Sequence, residues 1–319
     1  MRVEQRYGER GSLRWIQRLI AARYDLLETQ LPAAGVLHSG EVITWRSPLP
    51  HDRWAEYRDA AFLERLDLTP LIPALRRFWP VGGPQWDALG VTERRSVFLV
   101  EAKAHLGELR SACGARATHS RQRIAEALAD ARRAFGCRPE ADWSAPYYQY
   151  ANRLAHLRFL RAQGVSAHLV FVYFIGETGM PGAPISQSQW KDELARVRHH
   201  LGFDSDAHIP GVVDVFVDVA ELADARLDAL ARVVRLPSGA DFARGYDRLE
   251  EAGKAEGAVV YVADAPGTFS VITDETTLVD MLGEDLPAIT VRSFSQLAAR
   301  DLYVHALLSR LRRVDAPAS

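Results

Sequence analysis

Nine consecutive residues, AHLVFVYFI at 167–175, carry no charged side chain, and His168 is their only strongly polar one. The run is too short to span a bilayer. Its length and its β-branched and aromatic content are those of a strand buried on both faces. A strand of that kind needs cover above and below, so the chain must place helices on both sides of a sheet.

The flanking segments supply the rest of such a fold. Helical spacing is predicted over 11–31, with Ser12 as N-cap and Pro32 as the stop, and over 51–68, with Asp52 as N-cap. Further helices are predicted over 119–135, 145–163 and 186–203, and strands over 40–47, 85–91, 96–104 and 211–219. The prolines and glycines of LTPLIPALRRFWPVGGP (68–84) break that stretch into turns and short pieces. The class expected is α/β with a mixed central sheet. From residue 221 the character changes: helices are predicted over 221–236, 241–253 and 293–314, with strands over 257–264 and 268–273. Two domains are therefore expected, 1–220 and a smaller α/β extension, 221–319, whose role the sequence leaves open.

At 319 residues the chain can bury an ample core, and 48% hydrophobic with 25% charged residues is a globular composition. The charged opening, MRVEQRYGERGSLRW, lacks the apolar stretch of a signal peptide. Two cysteines without a CxxC spacing, Cys113 and Cys137, suggest neither a disulfide framework nor a zinc site. A cytoplasmic location and no membrane partner are expected. The net charge of −2 is unevenly spread: residues 94–161 hold 13 basic against 6 acidic side chains, whereas 162–319 hold 14 against 23. A basic middle of this kind could face phosphates.

That basic stretch contains FLVEAKAHL (98–106), where an apolar strand ends in Glu101 and Lys103. Residues two apart on a strand share a face, so the carboxylate and the ammonium point the same way. If 85–91 and 97–103 form a hairpin with a five-residue loop, paired residue numbers sum to 188 and Asp87 lies opposite Glu101. Two carboxylates so placed repel, and a divalent cation between them removes the repulsion with hard oxygen ligands. Such a site can activate water and neutralise a phosphate, with Lys103 placed to stabilise the water or the charge that develops on phosphorus.

WDALG…VFLVEAKAH resembles the PD-(D/E)XK nuclease superfamily: an Asp on one strand, 13 residues, then Glu-x-Lys on the next. The likeness covers roughly residues 50–175 and extends in element order toward 219; Trp86 stands where the motif name has proline, with Pro84 nearby. It implies a restriction-endonuclease-like fold and a Mg²⁺- or Mn²⁺-dependent nuclease acting on nucleic acid, DNA ahead of RNA, with a homodimer in prospect. Asp87, Glu101 and Lys103 would be catalytic. The metal would be held by Asp87, Glu101, the Ala102 carbonyl and a further acid from the preceding helix, Glu56 in preference to Glu64. The resemblance also implies polar help from the helix after the motif, where Gln149, Asn152, Arg153 and His156 form one stripe. His105 shares the face of Lys103 but stays outside the core set. Two other readings remain open: a catalytically inactive nuclease fold used for nucleic-acid binding or assembly, and an interaction protein whose acidic 221–319 half is the functional part.

Overall fold

The computed structural model describes residues 1–38, 41–204 and 208–223, with four further strands, Val233–Arg235, Val260–Ala265, Thr268–Asp274 and Ile289–Phe294. The chain divides into two compact units, Met1–Leu49 with Arg53–Ala225, and Pro50–Asp52 with Arg226–Ser319.

In chain order the first unit contains β1 (Arg2–Val3), α1 (Gly11–Ala22), α2 (Asp25–Glu28), β2 (Ile43–Ser47), β3 (Glu56–Tyr57), α3 (Ala60–Arg65), α4 (Ile72–Phe78), β4 (Ala88–Thr92) and β5 (Val97–Lys103). Then come α5 (Thr118–Ala134), α6 (Tyr148–Ala162), β6 (Ala167–Ile175), α7 (Gln187–His200), β7 (Val212–Asp218) and α8 (Ala220–Ala223). Five strands form a mixed sheet in the order β2-β4-β5-β6-β7, with β2, β4 and β5 antiparallel and β5, β6 and β7 parallel. The apolar run 167–175 is β6, one strand in from the edge. Its alternate residues feed two cores. Leu169, Phe171 and Tyr173 pack with residues of α5, α6 and α7, while Val170, Val172 and Phe174 pack with Trp15, Ile16, Leu19 and Ile20 of α1. Each such side chain, fully buried, contributes roughly 1.5–3 kcal/mol.

Three expected helices differ. The segment 11–31 is two helices, because Arg23 leaves helical geometry (φ −138°, ψ 39°) between α1 and α2. Ser12 is not the cap; α1 begins at Gly11 after an extended Arg10. The segment 51–68 is no single helix either. Arg53, Trp54 and Asp59 all have positive φ, which a right-handed helix cannot accommodate, and the stretch between them is the short strand β3. In the second unit, Val233–Arg235 is β8, so the helix expected over 221–236 does not reach its end. Two valines and an arginine are too short a run to betray their period. With β9 (Val260–Ala265), β10 (Thr268–Asp274) and β11 (Ile289–Phe294) it makes a four-stranded sheet in the order β11-β10-β9-β8. β11 is not among the expected strands: ITVR alternates as a strand should, but Ser293 and Phe294 break the pattern. The helix expected over 241–253 lies outside the described residues, as does the one expected over 293–314 apart from Ser293 and Phe294, which end β11 as strand. Among the described residues no helix is long and apolar enough to cross a membrane.

The β4–β5 hairpin pairs Ala88 with Val100 and Leu89 with Leu99, so paired numbers sum to 188. Its other edge is fixed by Gly90, which pairs with Trp45 of β2. A Cβ there would come within 2.5 Å of Ile43 Cγ2 and 3.1 Å of the Trp45 ring. Replacing a strand glycine ordinarily stabilises, but here the methyl has no room. Gly90→Ala is expected to cost about 1–3 kcal/mol, read as a lower urea midpoint with an unchanged slope. An unshifted midpoint would mean that Ile43 and Trp45 step aside freely.

Candidate active site

Alternation along β5 decides what reaches the site. Val97 and Leu99 face the α5–α6–α7 layer, and Phe98, Val100 and Ala102 face α1. Glu101 and Lys103 continue the first series, so they end the strand pointing at α6. Asp87, just before β4, donates its N–H to the Val100 carbonyl (3.2 Å) and accepts the Ala102 N–H on Oδ2 (2.7 Å). The hairpin thus locks one carboxylate beside the other.

Glu56 arrives by a different route. β3 pairs antiparallel with β1, Val3 opposite Glu56, and Tyr57 bridges to Trp86, which donates to its carbonyl at 3.1 Å. Gln5 and Gln85 then both donate to Glu56 Oε2, at 3.0 and 2.5 Å. α6 supplies the opposite wall. Its first turn is capped by a loop hydroxyl, Ser111 Oγ, which accepts the Gln149 N–H at 2.8 Å. The polar stripe expected on this helix is not a wet face: Asn152, Arg153 and His156 are all buried.

Glu56, Asp87, Glu101, Ala102, Lys103, Gln149, Asn152 and Arg153 together line one cavity of about 420 Å³. Ser12, Gln85, Ser111 and Tyr148 also line it. Nothing in their sequence context singled these four out, because each reaches the cavity through a turn or a helix end. Glu64 is exposed on α3 and is not among the lining residues. His105 is not either; its Nδ1 accepts the Gly107 N–H and caps a turn.

The electrostatics are those of a crowded pocket whose charged side chains are largely buried. Glu101 accepts from Lys103 on Oε1 and from Arg153 Nε on Oε2 (2.6 Å), with Arg153 Nη2 also in ion-pair contact with Oε2 at 2.5 Å. Burial pushes the Glu101 carboxyl up, but Arg153 and Lys103 outweigh it and hold it below the ordinary value of 4.5. Burial would likewise strip the Lys103 proton, yet Glu101 and Asp87 raise its pKa, so it remains an ammonium. It also donates to Gln149 Oε1 at 3.2 Å. Asp87 and Glu56 lack such partners. Burial, then Glu101 and Glu56, drive Asp87 well above 3.8, and burial, despite Gln85 and Gln5, lifts Glu56 to about 7.

Burial is the first cause of both upward shifts and the neighbouring carboxylates add to it, so a cation in the cavity would favour the ionised forms. The donor set, three carboxylates and a backbone carbonyl, is the hard-oxygen chemistry that suits Mg²⁺ or Mn²⁺. Among the described residues, no group of three or more His, Cys, Asp or Glu is arranged so that it could hold a metal ion. The carboxylates would therefore have to share a cation with water, as Mg²⁺ sites usually do. No protein-family model, no curated protein and no solved structure matches this chain.

Behind Arg153 lies His156, enclosed by Trp79, Phe78, Trp86 and Phe62, with ring centroids 4.7, 5.3, 6.2 and 6.4 Å away. Its Nδ1 lies 2.8 Å from the Asn152 carbonyl, so that nitrogen carries the proton. Burial pushes its pKa from 6.5 down to about 3. The unfolded imidazole takes up a proton that the folded one refuses. Its contribution is complete above about pH 6.5 and is lost progressively as the pH falls toward 3. Urea unfolding across that range should give a shallower fall in stability for His156→Phe than for the parent. Equal slopes would assign the acid sensitivity to other groups.

Proposed function

We propose that this protein is a divalent-metal-dependent nuclease with a restriction-endonuclease-like fold that hydrolyses phosphodiester bonds of nucleic acid, DNA ahead of RNA. The observation that carries this reading is the convergence of Glu56, Asp87, Glu101 and Lys103, from three separate segments of the chain, on one cavity. The mixed sheet adds support: an antiparallel hairpin bears Asp87 and Glu101, and parallel strands follow it. Mg²⁺, or Mn²⁺ in its place, would be held by two carboxylates at a time, Asp87 with Glu101 or with Glu56, together with the Ala102 carbonyl and water. When bound it would supply positive charge to the phosphate and lower the pKa of water.

The chain's own groups do the rest. The Lys103 ammonium, aimed by Glu101 and Gln149, stabilises negative charge on the attacking water and on the phosphoryl oxygens. An ammonium with its proton retained is an electrostatic partner and not a base. Gln149 and Asn152 offer amides to the phosphate or to ordered water. Water adds to phosphorus, one P–O ester bond breaks, and the displaced oxygen takes a proton. The products are a phosphomonoester and a free hydroxyl.

One observation favours a second reading, a nuclease fold without catalysis. Both oxygens of Glu101 already accept from cationic side chains, which would compete with a metal. Cleavage of labelled single- and double-stranded DNA and RNA with Mg²⁺, Mn²⁺ or EDTA separates the two. We expect metal-dependent cutting that falls about 10²–10³-fold in Lys103→Ala and at least as far in Asp87→Asn, with both variants folded by circular dichroism. Salt-sensitive binding of the same strands without cutting would instead establish the second reading.

A further inference from the structure

We infer that the site takes a single divalent cation and that Arg153 stands, as a fixed internal counter-charge, where a second would have to bind. The inference rests on the metal-dependent reading above and adds the number of ions and the residue that sets it.

Three observations carry it. The first is how completely Arg153 is held. Its Nε and Nη2 both reach Glu101 Oε2, Nη1 donates to Asn152 Oδ1 at 2.8 Å, and Nη2 donates to the Gln85 carbonyl at 2.8 Å. The guanidinium also lies 4.9 Å from the centre of the Trp86 ring, and the residue is only 4% exposed. A group tied on every edge and backed by an aromatic face is part of the scaffold. It does not step aside for an arriving ion.

The second is where it sits. In two-ion phosphodiesterases the ions lie about 3.5–4 Å apart, a separation that a shared carboxylate can bridge. Here Glu101 bridges two cations already, Lys103 on Oε1 and Arg153 on Oε2. An ion held by Asp87 can share the Oε1 side, since Lys103 is one contact at an oxygen with two lone pairs. The Oε2 side is doubly taken by the guanidinium.

The third is charge. With all three carboxylates ionised, Glu56, Asp87 and Glu101 against Lys103 and Arg153 leave one net negative charge in the cavity. One divalent cation turns this to a single positive charge, which a phosphodiester then cancels. Two would leave three positive charges in a buried space, an arrangement that low dielectric penalises steeply.

Counting bound Mn²⁺ on the full chain tests the inference without reference to activity. Calorimetric titration should give one ion per chain for the parent, with a spin-resonance spectrum free of Mn–Mn coupling, and no binding in Asp87→Asn. Arg153→Met, which opens Glu101 Oε2 and removes the charge, should bind two coupled ions, whereas Arg153→Lys should still bind one. Two ions in the parent, or one in a folded Arg153→Met, would overturn the inference and leave the nuclease reading standing. No ion in the parent would overturn both. Should Arg153→Met fail to fold, Arg153→Gln, which removes the charge but keeps a donor, takes its place with the same two outcomes.

Discussion

The ion pair between Arg153 and Glu101 joins the two halves of the site, and much else is arranged around it. It ties helix α6 to the end of strand β5 across 52 positions of sequence. Breaking such a buried pair by removing one partner typically costs 3–5 kcal/mol, because the other charge is stranded. The surrounding groups follow from that risk. Asn152 and the Gln85 carbonyl take two more guanidinium protons, Trp86 covers its face, and Lys103 balances the far oxygen of Glu101. The apolar cage around His156 then keeps water from the back of Trp86.

This arrangement separates the acidic groups by role. Glu101 is permanently compensated and serves as an anchor. Asp87 and Glu56 accept hydrogen bonds from Ala102, Gln5 and Gln85, and the nearby Lys103 and Arg153 do not offset their burial. A low-dielectric pocket with one satisfied and two unsatisfied carboxylates attracts positive charge to the unsatisfied side. On the nuclease reading proposed above, the reactive edge of the cavity would be the Asp87–Glu56 edge.

What the sequence disclosed and what it concealed divide along one physical line. Period-two alternation and hairpin register are local, so AHLVFVYFI could be read as a buried strand and Asp87 placed opposite Glu101 from residue numbers alone. The mixed five-stranded sheet followed from the same patterns. Glu56 was assigned to a helix because Trp54, Tyr57 and Ala61 mimic helical spacing; only the left-handed backbone at Arg53, Trp54 and Asp59 shows that no helix runs there. The polar stripe of α6 was legible as a stripe, but whether it faced water or the sheet depends on what packs above it. Ser12, Ser111 and Gln85 carried no signal, since their place at the cavity comes from chain paths that no periodicity encodes.

The route by which Glu56 reaches the cavity bears on how the protein acquires its site during folding. Asp87 and Glu101 sit on one hairpin and can meet after closing a loop of a dozen residues or so, an event of about 10–100 ns for a loop of that size. Glu56 is held by Gln5 across 51 positions and by the pairing of β3 with β1, contacts that form only after a much longer loop has closed. A partly folded chain therefore carries two of the three carboxylates in register and lacks the third. The acidic pocket is complete only once the N-terminal strand has docked, a closure as long in sequence as the one that brings Arg153 to Glu101.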